Sequence, residues 1–256
     1  MKRSIIAIVA LSLLFLSCRK ESSTPQPENH LTKFEQLVFS NHKLDVFVEK
    51  MPATGYQKLF FKLSNNDGSA NSNTTISLKA IMDMGNMQHS SPAVQPAWNA
   101  DMKMYEGAVV FTMPSGDYHW YLNITIGNET KQVLVNVAST PTKLTGSFKA
   151  TNGDAYVISL VPGKAFTPGI NDFTILVNRK KSMMEFPAAD GLTIQFNPEM
   201  PSMSHGSPNN TDPVNIGNGY YRGKVNFTMS GDWRLHFKVS LHDELLLDDA
   251  SLDITF

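Results

Sequence analysis

Apolar and polar side chains alternate along most of the chain in short runs broken by turn residues. Leu59-Phe61-Leu63, Ile76-Leu78-Ala80, Val109-Phe111 and Tyr118-Trp120-Leu122-Ile124-Ile126 fall in the first half. Ile175-Val177, Leu192-Ile194-Phe196, Val225-Phe227 and Trp233-Leu235-Phe237-Val239-Leu241 fall in the second. A period of two sends successive side chains to opposite faces of an extended backbone, so each run predicts a half-buried β-strand. Pro114-Ser115-Gly116-Asp117, Gly127-Asn128-Glu129 and Ser230-Gly231-Asp232 supply the tight turns between strands. No stretch beyond the amino-terminal segment sustains a helical period with caps.

The two halves match each other. A shift of 116 residues lays Met84 on Met200, Met87 on Met203, His89 on His205, Tyr105 on Tyr221, and Phe111-Thr112-Met113 on Phe227-Thr228-Met229. From Met84 to Met113, 12 of 30 positions are identical, against about two for unrelated sequence of average composition. One inserted residue in the first copy then lays Gly116-Asp117-Tyr118 on Gly231-Asp232-Trp233. A repeat of this kind indicates a tandem duplication. Several short strands in about 110 residues, with no helix for parallel crossovers, predict an antiparallel sandwich of immunoglobulin type. The expected fold is therefore all-β, with two tandem immunoglobulin-like antiparallel β-sandwich domains, the first over 34–140 and the second over 141–256. Their boundary is expected where Ser139-Thr140-Pro141-Thr142 breaks the alternation.

The amino terminus has a different pattern. Lys2 and Arg3 precede an apolar run from Ile5 to Leu16, which Ser17-Cys18 and then Arg19-Lys20-Glu21 end. Charge, apolar core and small-residue cleavage site come in signal-peptide order, and the run is shorter than the roughly 20 residues a spanning helix needs. Leu16-Ser17-Cys18 resembles the lipobox of bacterial lipoproteins, which implies cleavage after residue 17 and a lipid on Cys18. Residues 18–33, polar and proline-bearing, have the composition of a flexible tether. The expected location is the cell envelope, lipid-anchored to a membrane. Arg19, where Asp would retain the protein at the inner membrane, favours the outer membrane, facing the periplasm.

Cys18 is the only cysteine, so the folded body has neither disulfide nor thiolate site. Without Lys2 and Arg3 there remain 20 basic against 23 acidic side chains, a balance that argues for no nucleic-acid partner.

The candidate chemistry is soft. Both halves carry Met-x-x-Met-x-His, as Met84, Met87 and His89, and as Met200, Met203 and His205. Thioether sulfur with imidazole suits copper(I), whereas magnesium and calcium want oxygen. An extended strand would send Met84 and Met87 to opposite faces, so convergence needs a turn, for which Gly85 and Pro201 are suited. Met82, Met102, Met104, Met113 and Met229 lie close enough in sequence to flank such a site. The same residues also suit core packing, methionine being a flexible gap filler.

Met200-Pro201-Ser202-Met203-Ser204-His205, then Tyr221-Arg222-Gly223, then Gly231-Asp232-Trp233-Arg234 resembles the YtkA-like/FixH-like family of extracytoplasmic β domains. The resemblance is good over about 173–241 and weaker over about 59–126, where Gly85 replaces the proline and Tyr118 the tryptophan. It implies a membrane protein complex as partner, either a copper-containing respiratory oxidase under assembly or a metal-efflux system. The alternative is a module without metal that docks a membrane partner. No enzyme activity is expected: Gly-x-Ser-x-Gly, a phosphate loop and His-Glu-x-x-His are all missing from the sequence.

Acylation at Cys18 predicts that the protein partitions into detergent and that Cys18→Ser releases it from the membrane fraction. Unchanged membrane association of that variant overturns the lipid anchor.

Overall fold

The computed structural model describes residues 31–256, and over that span the chain is almost entirely β. The expected leader, Cys18 and residues 18–30 of the expected tether lie outside the described residues, whereas Thr32 and Lys33, expected to end the tether, already belong to the first strand. The first nine strands are β1 (Thr32–Val38), β2 (His42–Val48), β3 (Gly55–Asn65), β4 (Ile76–Asp83), β5 (Gln88–Ser91), β6 (Ala93–Asn99), β7 (Met104–Phe111), β8 (His119–Ile126) and β9 (Glu129–Val135). The next nine are β10 (Thr145–Lys149), β11 (Ala155–Leu160), β12 (Gly169–Lys180), β13 (Thr193–Met200), β14 (His205–Gly206), β15 (Thr211–Gly217), β16 (Tyr220–Phe227), β17 (Asp232–Leu241) and β18 (Glu244–Thr255). A 3-10 turn at Pro201–Met203 is the only helical piece among the described residues. No helix among them is long and apolar enough to cross a membrane.

Four antiparallel sheets form two immunoglobulin-like sandwiches. In the first module, β1-β2-β3-β7-β6 faces β5-β4-β8-β9; in the second, β10-β11-β12-β16-β15 faces β14-β13-β17-β18. The strand order is the same in both halves, strand for strand.

Alternation sets the core. Trp120, Leu122, Ile124 and Ile126 of β8 are buried while the residues between them are partly exposed, and β17 repeats this with Trp233, Leu235, Phe237 and Val239. They meet Leu44, Val46, Leu59, Phe61, Val109 and Phe111 across the first sandwich. In the second they meet Ile158, Ile175, Val177, Tyr221, Val225 and Phe227. Each core is a single apolar layer between two sheets, the arrangement that period-2 strands with one buried face require.

The five-stranded sheets also bury part of their outer faces. Tyr56, Ala108 and Val110 of the first module form one apolar cluster with Val157 and Leu176 of the second, flanked by Phe186 and Tyr220. At its edge the Tyr56 and Tyr220 hydroxyls hydrogen-bond at 2.8 Å, with the rings 6.5 Å apart in an edge contact. The connector between the modules is tied at both ends. Thr54 N–H donates to Ala138 O at 2.9 Å, Thr140 N–H donates to Thr54 Oγ1 at 3.0 Å, and Asp253 N–H donates to Lys143 O at 2.9 Å. The β12–β13 connection reaches across as well, its Met183 carbonyl accepting from Ser90 N–H at 2.8 Å. That bond caps the free edge of β5, which would otherwise be an unpaired donor beside His89.

Burial, then the bond to Tyr220, pushes the Tyr56 hydroxyl far above its ordinary value of 10.0, and burial moves Tyr220 the same way. The folded chain thus keeps protons that the unfolded chain releases. The resulting stability is complete below pH 10 and is lost as the pH climbs further. Melting temperature should therefore fall above about pH 10, and less steeply for Tyr56→Phe. An identical alkaline slope in that variant would show that this contact is not what titrates.

Candidate metal-binding site

Both Met-x-x-Met-x-His segments form hairpins, β4–β5 and β13–β14. In the first, Gly85 takes φ +81°, a left-handed conformation that glycine adopts without strain. Asp83 Oδ1 accepts from Gly85 N–H at 2.8 Å, and Met84 N–H donates to Met87 O at 2.9 Å. In the second, the 3-10 turn Pro201–Met203 is closed by Ser204 at φ +52°. Asp232 secures it by accepting from the Ser202 hydroxyl at 2.6 Å, a bond that holds its carboxyl below the usual range.

Strand pairing sets a register that the linear comparison misses. Met82 stands opposite His89, and Met200 stands opposite His205. Six residues separate the first pair and four the second, so the first hairpin is two residues longer. Met82, fully buried, therefore takes the place of Met200, which is 3% exposed. Met84, laid on Met200 by the 116-residue shift, is instead partly buried against the first core at a hairpin position. Trp120, not Tyr118, takes the place of Trp233. Both indoles are buried, and each donates its Nε1–H to a methionine carbonyl at 3.1 Å, Trp120 to Met113 O and Trp233 to Met229 O. Tyr118 is 42% exposed. The signal for Trp120 was its phase in the alternating run 120–126; matching on Gly-Asp obscured it.

His89 is buried and His205 partly buried, and each imidazole stands edge-on to its module's indole. The ring centroids are 5.5 Å apart for His89–Trp120 and 5.8 Å for His205–Trp233. His89 Nδ1 lies 3.0 Å from Ser90 O. A carbonyl only accepts, so Nδ1 carries the hydrogen and a neutral ring keeps its lone pair on Nε2. His205 Nε2 lies 3.4 Å from the Thr228 hydroxyl, beside Met229.

The methionines divide by exposure. Met87 is 46% and Met203 58% exposed, and Met113 and Met229 are 37% and 38%. Met200 belongs to the second core and Met82 to the first. Met104 opens β7 and Met102 lies in the turn before it, so the length of that eight-residue strand, about 25 Å, separates them from Met113. Among the described residues, no group of three or more His, Cys, Asp or Glu side chains is placed to hold a metal. Thioethers fall outside that class.

Residues 151–238 match the family described as YtkA-like. The match lies within the second module and includes Met200, Met203, His205 and Trp233. No curated protein matches the chain. Among solved structures, similarity extends to FdeC, an Escherichia coli adhesin, at 14% identity and TM-score 0.29, covering 86% of this chain and 66% of that one. It extends also to invasin, a bacterial integrin-binding protein, at 13% identity and TM-score 0.27, covering 84% and 39%. A chimeric titin Z1Z2 tandem is similar at 12% identity and TM-score 0.20, covering 80% and 91%. The chain thus spans just under two thirds of the FdeC chain and well under half of the invasin chain.

Gly231 shows how tightly the second hairpin is set. Its φ is +144°, and a Cβ there would run into Met200 Cε. Gly231→Ala should destabilise the chain by about 1–3 kcal/mol through strain and overpacking, and adding Met200→Ala should not raise that cost by the full amount of a core truncation. Strict additivity of the two changes in thermal melts would mean that they do not share this contact.

Proposed function

We propose that the chain is a lipid-anchored protein of the cell envelope whose two tandem sandwiches bind copper(I) at their Met–His ends. The observation that carries this reading is the exposure of the methionines. Met51, Met87, Met113, Met183, Met184, Met203 and Met229 are all at least about a third open to solvent, so gap filling in a core does not account for them. Four of these, Met87, Met113, Met203 and Met229, belong to segments that hold or adjoin the His–Trp pairs, in matching places in the two modules. Thioether and neutral imidazole are a donor set that favours copper(I) over harder cations, and the His89 tautomer leaves Nε2 free to donate.

In this reading the repeat is a tandem duplication, which the common strand order supports, and each module is one binding unit. The role is handling rather than catalysis: the chain passes copper(I) to, or receives it from, a membrane complex such as an oxidase under assembly or a metal exporter. Attachment through Cys18 and the tether would keep both modules near the membrane surface. A second reading, docking without metal, draws on β15, an edge strand that exposes Val214 at 62% and Ile216 at 49%. An open apolar edge of this kind can accept a partner strand.

Anaerobic titration of the full-length protein in detergent with copper(I), against a chromophoric competitor, should yield about two bound ions per chain and a metal-linked rise in melting temperature. Equal binding by a variant with His89→Ala, His205→Ala, Met87→Leu and Met203→Leu overturns the copper reading and leaves docking as the account of the fold.

A further inference from the structure

Resting on the copper reading above, we propose that the ligands in each module are the histidine, the methionine two residues before it and the methionine whose carbonyl the buried indole holds. These are Met87, His89 and Met113 in the first module, and Met203, His205 and Met229 in the second. The methionines that face the histidines across the hairpins, Met82 and Met200, are core residues and not ligands.

Three observations carry this assignment. First, in both modules the indole ties together the histidine and a methionine far from it in sequence. The imidazole stands against the ring at 5.5 and 5.8 Å, and Nε1–H is bonded at 3.1 Å to Met113 O or Met229 O. The contact of His205 Nε2 with the Thr228 hydroxyl at 3.4 Å puts that ring one residue from Met229. Second, the proposed sulfurs belong to side chains 37–58% exposed, and an unbranched side chain of that freedom can swing onto a metal without opening the core. Met82 and Met200 are sealed in their cores, with Met200 Cε against Gly231, so drawing either sulfur out would leave a cavity. Third, strand register gives Met84 no methionine counterpart. Counted outward from Met82 and Met200, its partner position is Ser202, whose hydroxyl is committed to Asp232. Of the methionines outside the two cores, those that recur beside the histidines in both modules are Met87 with Met203 and Met113 with Met229. Trp120 and Trp233 act as positioning residues, holding the distant methionine's backbone and walling one side of the imidazole.

The test is a copper(I) titration of the full-length protein in detergent, comparing two double variants. Met113→Leu with Met229→Leu should lose at least about tenfold in affinity and should leave the melting temperature of the metal-free protein nearly unchanged, both side chains being at the surface. Met82→Leu with Met200→Leu, volume-conserving in the core, should keep wild-type affinity. A third arm, Trp120→Phe with Trp233→Phe, removes the Nε1 bond, and its affinity should fall with no ligand removed. If the core pair loses affinity and the surface pair does not, the assignment is overturned while copper binding stands. If both pairs bind as wild type but His89→Ala with His205→Ala does not, the methionine assignment is likewise overturned. If wild type binds no more copper(I) than that histidine variant, the copper reading itself fails.

Discussion

A buried indole must place its one N–H on an acceptor, and in this protein that requirement organises each module. Trp120 and Trp233 are buried in the cores, where an unmade hydrogen bond would cost about 1–3 kcal/mol. Each meets the need with the carbonyl of a methionine just past the end of β7 or β16. The bond pins the turn leading into β8 or β17, and the ring packs against Phe111 or Phe227 from the facing sheet. The histidine of the neighbouring hairpin packs against the same indole at nearly a right angle. One side chain therefore joins both sheets, a turn and a hairpin, and ties a histidine and the backbone of a distant methionine to the end of a closed core.

The second constraint lies between the modules. A sandwich of this kind normally leaves the outer faces of its sheets to solvent, so the apolar residues Tyr56, Val110, Val157 and Leu176 there need cover. They find it in each other. The tyrosine pair closes the cluster with a hydrogen bond between two groups that burial keeps protonated. The β12–β13 connection then caps β5 at Ser90, the residue after His89. The second module thus braces the strand that carries the first module's histidine. Among the described residues, no backbone bond from the other module meets the strand that carries His205.

Single exposed methionines are ordinary, but two of the exposed methionines in matching places, Met113 and Met229, are linked through an indole to a histidine, and the copper proposal gives that pattern a chemical use. A flexible sulfur at the surface can exchange a soft ion with a partner by stepwise ligand replacement. The buried Met82 and Met200 support the hairpin from behind.

The β class and the two-module organisation were legible in the linear pattern, because a period of two and the spacing of turn residues are local properties of a strand with one buried face. The Met-x-His ends of the two segments were legible too, since Met87 and His89 match Met203 and His205 both under the 116-residue shift and in the spacing from the strand that follows the turn. Which methionine occupies which place was not. Hairpin length is free to differ between modules while strand pairing is not, so the first hairpin's two extra residues displaced Met84 from the position of Met200 and gave it to Met82. The same freedom in the turn after β7 hid Trp120 behind Tyr118. The contact between the modules also had no linear signal, because a covered outer face and an exposed one read alike in a strand of mixed residues. Local chemistry sets the strands and their turns; the ladder register and the packing of sheet on sheet decide which side chains meet, and those depend on partners far away in the chain.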